Sequence, residues 1–237
     1  MFGRNGRLGI IVPANNSTLE PEIWSQMPED TAAYATRILA RGDLTAQAVK
    51  LMETNVERAV DELTATVVDV IAYADMVTTF IMDADWNDRR AREISAQAGV
   101  PVYTCWTALR AALQQLGVRS FALGTPYPNG IHATCRPFFE KAGFSVTADA
   151  TLNILAMTDV PKVKPDAVRA LVADMSLAKA EAIVLLATDL PTFSVIAALE
   201  DETGLPVLTS NQTLLWHGLR LCKNTARLKS LGRLFQA

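Results

Sequence analysis

Apolar and polar positions along the chain alternate between two rhythms. From residue 45 to 64, Val49, Met52, Val56, Ala59, Val60 and Leu63 recur at three- and four-residue spacing, which predicts an amphipathic helix. Residues 67–73 are, apart from Asp69, an apolar run rich in β-branched side chains, as expected of a strand covered on both faces. Further strands are expected at 8–12, 100–104, 120–123, 144–148, 182–186 and 206–208, and helices at 87–98, 108–116, 132–142, 166–179, 193–202 and 213–222. Gly99, Gly117 and Gly143 stand where three of these helices should stop. Strands alternating with helices of this length predict right-handed βαβ units and parallel sheets. No low-complexity linker interrupts the pattern, so two halves would abut closely, with room for strand exchange near residues 100–120 and at the C-terminus.

Composition narrows the picture by exclusion. Half of the 237 residues are apolar and a fifth are charged, a balance that supports a sizeable core in one large domain or two smaller ones. Net charge is −3 and the basic residues are dispersed, which gives no electrostatic footprint for nucleic acid or an anionic membrane. The longest apolar runs fall far short of the ~20 residues of a membrane span, and the first residues lack the apolar core of a signal peptide. Three widely spaced cysteines, with no CxxC or Cys/His cluster, suit a reducing cytoplasm without structural zinc. Neither GxGxxG nor GxxxxGK[ST] occurs, so no nucleotide cofactor is implied.

Two of the expected strands run out into similar Thr-containing turns: DVIAYADMVTTF at 69–80 and AIVLLATDLPTF at 182–193. Open α/β sheets build their active sites at such C-terminal strand ends. Two related ends in one chain point to two half-domains facing each other across one cleft. Together with GIIVPANNSTLE at 9–20, these segments resemble the aspartate/glutamate racemase superfamily, in the branch of maleate cis-trans isomerases and arylmalonate decarboxylases. The likeness runs in matching order over residues 8–221.

The resemblance implies an α/β fold of two similar Rossmann-like half-domains, whose parallel four-stranded sheets face a central cleft. Residues 1–105, with 210–237, would form the N-terminal half, and 106–209 the C-terminal half. The resemblance also implies a cysteine at each strand end, the pair acting on opposite faces of a substrate. Here Asp75 stands at the first position and Ala187 at the second, although a one-residue slip would put Thr188 there. Both thiols are gone.

Several residues then become candidates, each with a plainer alternative. Asp75, flanked by Ala74, Met76 and Val77, should be desolvated and able to act as acid or base near neutral pH; otherwise it caps the next turn. Within Asn15, Asn16, Ser17 and Thr18, the resemblance puts Asn16 on a substrate carboxylate, where plain helix capping is the alternative. Tyr127, fixed behind Pro126, matches a substrate-binding tyrosine that could donate to developing oxygen charge; a surface tyrosine is the alternative. Asn153 matches a further polar position. Met76, Val77, Ala187, Thr188 and Asp189 complete the expected substrate contacts. Ser210, Asn211 and Gln212 resemble a family turn but equally suit capping of a helix from Thr213. His132 and His217 lack metal-ligand spacing, and Cys105 reads as a buried structural thiol.

Without the thiols, two-base racemisation and thiolate addition to an alkene drop out. What remains is a cofactor-independent enzyme, isomerase or lyase in type, moving a proton at the carbon next to the carboxylate of a small acid or dicarboxylate. With Asp75 as the lone proton source, a chiral product should form as one enantiomer. The alternative is a silent relative that binds a small carboxylate without turnover. No metal, nucleic-acid or membrane partner is expected; a homodimer or higher homo-oligomer is.

Overall fold

A computed structural model describes residues 2–83 and 85–237. The first sheet is built by β1 (Arg7–Pro13), α1 (Leu19–Ser25), β2 (Ala32–Ile38), α2 (Ala46–Glu53), α3 (Val56–Ala65), β3 (Val70–Tyr73), α4 (Thr78–Ile81), α5 (Trp86–Ala98) and β4 (Val102–Thr104), in strand order β2-β1-β3-β4. After α6 (Cys105–Gln115) come β5 (Ser120–Thr125), α7 (Asn129–Lys141), β6 (Ser145–Thr151), a 3₁₀ turn (Met157–Lys162), α8 (Pro165–Ala173), β7 (Ala182–Leu185), α9 (Ile196–Thr203) and β8 (Val207–Thr209), in order β6-β5-β7-β8. α10 (Ser210–Leu221) follows. Every pairing in both sheets is parallel. This is the expected α/β fold with two four-stranded parallel sheets of the same strand order.

The central strands are apolar on both faces, as helix-covered strands must be: all four residues of β3 and all four of β7 are buried. α5 and α9 both stop at a glycine in the left-handed region, Gly99 (φ 70°) and Gly204 (φ 72°), where a side chain would be strained. α10 packs on α6, α1, β3 and β8, and so reaches elements of both sheets. Gly218 permits that approach, because a Cβ there would lie 2.3 Å from the Tyr103 hydroxyl. That hydroxyl in turn donates to Leu214 O (2.8 Å).

Four sequence expectations need correction. Among the described residues no strand is exchanged between the sheets: the first uses strands within residues 7–104, the second within 120–209. The helix expected at 45–64 is two helices broken at Thr54–Asn55, where Thr54 Oγ1 donates back to Leu51 O (2.7 Å). β2 was not foreseen; as an edge strand it mixes buried Ala33 and Ile38 with exposed Arg37, and so lacks an apolar run. Finally, α10 begins at Ser210, capped by Thr209, which puts the Ser-Asn-Gln turn inside the helix.

Candidate active site

The two sheets end in the same way. Ala74, just past β3, donates its N–H to Ile11 O of β1 (2.9 Å), and Leu186, just past β7, donates to Gly124 O of β5 (3.0 Å). Asp75 and Ala187 each come one residue later, so Ala187 rather than Thr188 is the counterpart of Asp75. The following helices repeat as well. Thr104 and Thr209 each form a reciprocal capping box, making Cys105 and Ser210 counterparts at the first helical position.

Both strand ends open into one pocket, about 540 Å³ measured out to its mouth. Its polar lining groups are Asn15, Asn16, Asp75, Tyr127, Thr188 and Asp189, and among the described residues no Lys, Arg or His lines it. Of the candidates, Val77 and Ala187 also line it, whereas Met76 is fully buried behind the lining. Asn153 stands apart: its side-chain oxygen accepts the Asn129 N–H (2.9 Å) at the start of α7, and its neighbour Ile154 faces the pocket instead.

On the first wall, Asp75 is 7% exposed. Its Oδ2 accepts the Thr78 N–H (3.1 Å) and a short hydrogen bond from the Thr78 hydroxyl. The carboxyl thus caps the turn into α4 and lines the pocket at once; the two readings of its role are compatible. Burial raises its pKa to about 6, against the opposing pull of the Thr78 and Val77 donors.

The second wall carries no group at the equivalent place. Ala187 has φ 95°, a left-handed value rare for a residue with a Cβ, and its N–H is fixed on Ser210 Oγ (3.1 Å). Thr188 Oγ1 accepts from Asn16 Nδ2 (3.1 Å), while Asn16 Oδ1 accepts the Thr18 and Leu19 N–H groups (both 2.9 Å). Asn16 therefore caps α1 and ties the first half to the second. Glu22 tightens this seam. Its Oε1 takes the Thr192 and Phe193 N–H groups (2.6 and 2.8 Å), and its Oε2 takes Asn211 Nδ2 (2.7 Å), which also donates to Thr188 O (3.0 Å). Burial raises the Glu22 carboxyl, offset by those donors. Asp189, next along, has its pKa raised to about 7 by burial, with the Asp75 charge adding to the effect.

Tyr127 is 3% exposed and its hydroxyl has no partner. Burial and the neighbouring Cys135, Asp75 and Asp189 push the phenol well up, so it is a donor rather than a base. Asn15 is the polar group that sequence reasoning passed over: its Oδ1 is also buried without a partner at the pocket. The doubled Asn was the available signal. An apolar rim from two connections completes the lining. Leu44, Val49 and Met52 come from around α2, and Met157 and Val160 from the 3₁₀ turn. Backbone bonds Leu44 N–H to Leu155 O (2.9 Å) and Met157 N–H to Gly42 O (3.2 Å) join the two connections.

The remaining candidates hold structure. His132 bridges Thr125 Oγ1 (2.9 Å) and Asp149 (3.0 Å). His217 stacks edge-on to Tyr103. Cys105 is fully buried outside the lining, and burial together with the Asp75 charge keeps its thiol protonated. Among the described residues, no group of three His, Cys, Asp or Glu side chains is placed to hold a metal ion.

Paired parallel sheets whose strand ends enclose carboxyls, amides and a phenol define a two-lobed α/β enzyme built around one small polar molecule. The chain belongs to the arylmalonate decarboxylase family, whose model matches residues 8–235. It is similar to a maleate isomerase from Geobacillus stearothermophilus (27% identity, 92% of each chain). It is also similar to the arylmalonate decarboxylase of Bordetella bronchiseptica (24% identity, 95% of this chain and 91% of that one). Among solved structures it matches a variant of the maleate isomerase Iso from Pseudomonas putida S16 with maleate, at TM-score 0.92, 25% identity and 97% of each chain. The protein is an enzyme of the isomerase or lyase type.

Proposed function

We propose that this enzyme removes or relocates a bond at the carbon next to a carboxylate, with Asp75 supplying or taking the proton, and that it needs no metal or cofactor to do so. One observation carries the reading: a carboxyl with a pKa of about 6 lines the same pocket as a buried phenol whose hydroxyl is free to donate. The substrate carboxylate would sit among Tyr127, Thr188 and the Asn15–Asn16 turn, whose donors hold oxygen charge as it develops. The apolar rim favours a substrate with an apolar substituent over a bare dicarboxylate, and so a malonate of the aryl or alkyl type over maleate.

In decarboxylation, the bond from the central carbon to one carboxylate breaks and carbon dioxide leaves. The electron pair moves onto the remaining carboxylate as an enediolate, and protonated Asp75 then donates to carbon. Water returns the proton to Asp75. Ala187 puts only a methyl group in the pocket at the place equivalent to Asp75, which favours loss of a charged group lodged against it. The same reading divides the chain into 1–105 with 210–237 and 106–209, and includes a cytoplasmic homo-oligomer, which light scattering would size.

The test is a panel of phenylmalonate, alkylmalonates and maleate, with chelator present and no cofactor added. Turnover of a malonate is expected, and Asp75→Asn should lower its rate ~100-fold or more. An unchanged rate would remove Asp75 from the mechanism.

A further inference from the structure

Asp189 is the one carboxyl that lines the pocket from the second sheet's side among the described residues, and the reaction above leaves it unused. It lies four residues past β7 on a segment fixed from both sides: its backbone carbonyl accepts the Thr18 hydroxyl (2.8 Å), and Leu190 behind it is fully buried. Its carboxyl lines the pocket, yet among the described residues no other residue donates a hydrogen bond to it and no cation pairs with it. Thr188, the neighbouring candidate, is already engaged by Asn16 and Asn211. A second observation points to a ligand at this spot. Tyr127, 97% buried by its 3% exposure, turns an unpartnered hydroxyl on the same pocket and lies within electrostatic reach of both Asp75 and Asp189.

Two carboxyls, no cation and a shared low-dielectric pocket dictate one consequence. Ionising both at once is disfavoured, so near neutrality the pair retains a proton. We propose that Asp189 is a second proton-handling residue, serving the face of the substrate opposite Asp75. This rests on the proton-transfer reading above. The carboxyls come from opposite sheets, at the two strand ends that the fold makes equivalent, but Asp189 stands two residues beyond the Ala187 position. Raised pKa values of about 6 and about 7 suit one acid and one base coexisting between those values.

The chemistry balances. One carboxylate takes a proton from the carbon next to the substrate carboxylate, and the C–H electron pair enters that carboxylate as an enediolate. The other carboxylic acid then gives its proton to the opposite face, forming the new C–H bond. The substrate is inverted, the two side chains have exchanged protonation states, and water resets them. After loss of carbon dioxide the same enediolate can be protonated from either side.

The experiment uses 2-methyl-2-phenylmalonate as probe and reads the enantiomer ratio of the 2-phenylpropionate formed. Asp75 acting alone would give one enantiomer; with Asp189 serving the other face, wild-type protein should give both, and Asp189→Asn should shift the ratio at least 10-fold towards one. A ratio unchanged by Asp189→Asn overturns the proposal. The full chain is also titrated without ligand, following the aspartate carboxyl carbons by NMR. Loss of the neighbouring charge in Asp75→Asn should lower the Asp189 midpoint, whereas an unmoved midpoint overturns the pairing even if the probe is inert. A coupled titration in a protein that turns over no malonate would instead fault the reaction assigned above and leave the pair standing.

Discussion

The ends of β3 and β7 are the same backbone carrying different chemistry. Each is followed by a residue bonded to the preceding central strand, and each faces a capping box at the next strand's end. At the position after that, one offers a desolvated carboxyl and the other a methyl group. The fold therefore repeats one backbone frame at two strand ends, and the side chains set on it differ. The lesson is that family geometry predicts where chemistry occurs more securely than which chemistry it is. Thr188 and Asp189 move polar function on the second side one and two residues further along, and Glu22 and Asn211 secure that segment.

The largest expected effect would break the comparison by loosening the second wall. Glu22→Ala leaves the Thr192 and Phe193 N–H groups without their acceptor and the Asn211 amide with only Thr188 O, and should destabilise the protein by about 2–3 kcal/mol. Chemical denaturation of the variant measures this; a change within ~0.5 kcal/mol would mean the segment is held without Glu22.

The first wall responds to pH. Asp75 keeps its proton up to about pH 6 in the native state and loses it near 3.8 in the unfolded chain. The native state binds more protons between those values, so its stability falls as pH rises through them. Asp75→Asn removes that penalty. It should leave stability unchanged near pH 4 and raise it by about 2–3 kcal/mol above pH 7, seen as a pH-dependent gap in melting temperature. A gap independent of pH would mean the carboxyl is not desolvated.

Tyr127→Phe sharpens the contrast, because its hydroxyl belongs to the pocket and to no structural bond. Turnover should fall ~10-fold or more, while stability changes little. A stability loss without a rate loss would make the phenol structural. The smallest effect concerns Ala187 itself. Its φ of 95° suits glycine better, so Ala187→Gly should stabilise the protein by about 0.5–1 kcal/mol.

Much of this architecture was legible because central strands here are unbroken apolar runs, as in β3 and β7. What escaped had physical reasons. β2 sits at a sheet edge and carries Thr36 and Arg37, so no apolar run announces it. The apolar periodicity passes straight through Thr54 and Asn55, so the break between α2 and α3 left no trace in spacing. Asp75 was readable as a polar residue at a strand end. Whether Ala187 or Thr188 was its counterpart turned on a single hydrogen bond, Leu186 to Gly124, that spacing cannot count. Asn153 lies one residue from the pocket because its φ of 52° turns the chain, bringing Ile154 to the lining. The rim formed by Leu44, Val49 and Met157 was recognisable as apolar, but only the joining of two distant connections makes it a wall.

The claim that Asp75 handles the proton is tested most directly by the pH dependence of kcat/KM for phenylmalonate in wild-type protein and Asp75→Asn. The wild-type profile should show a limb with a midpoint near 6, and Asp75→Asn should lose that limb along with ~100-fold or more of the rate. A variant that keeps both the rate and the limb would contradict the account.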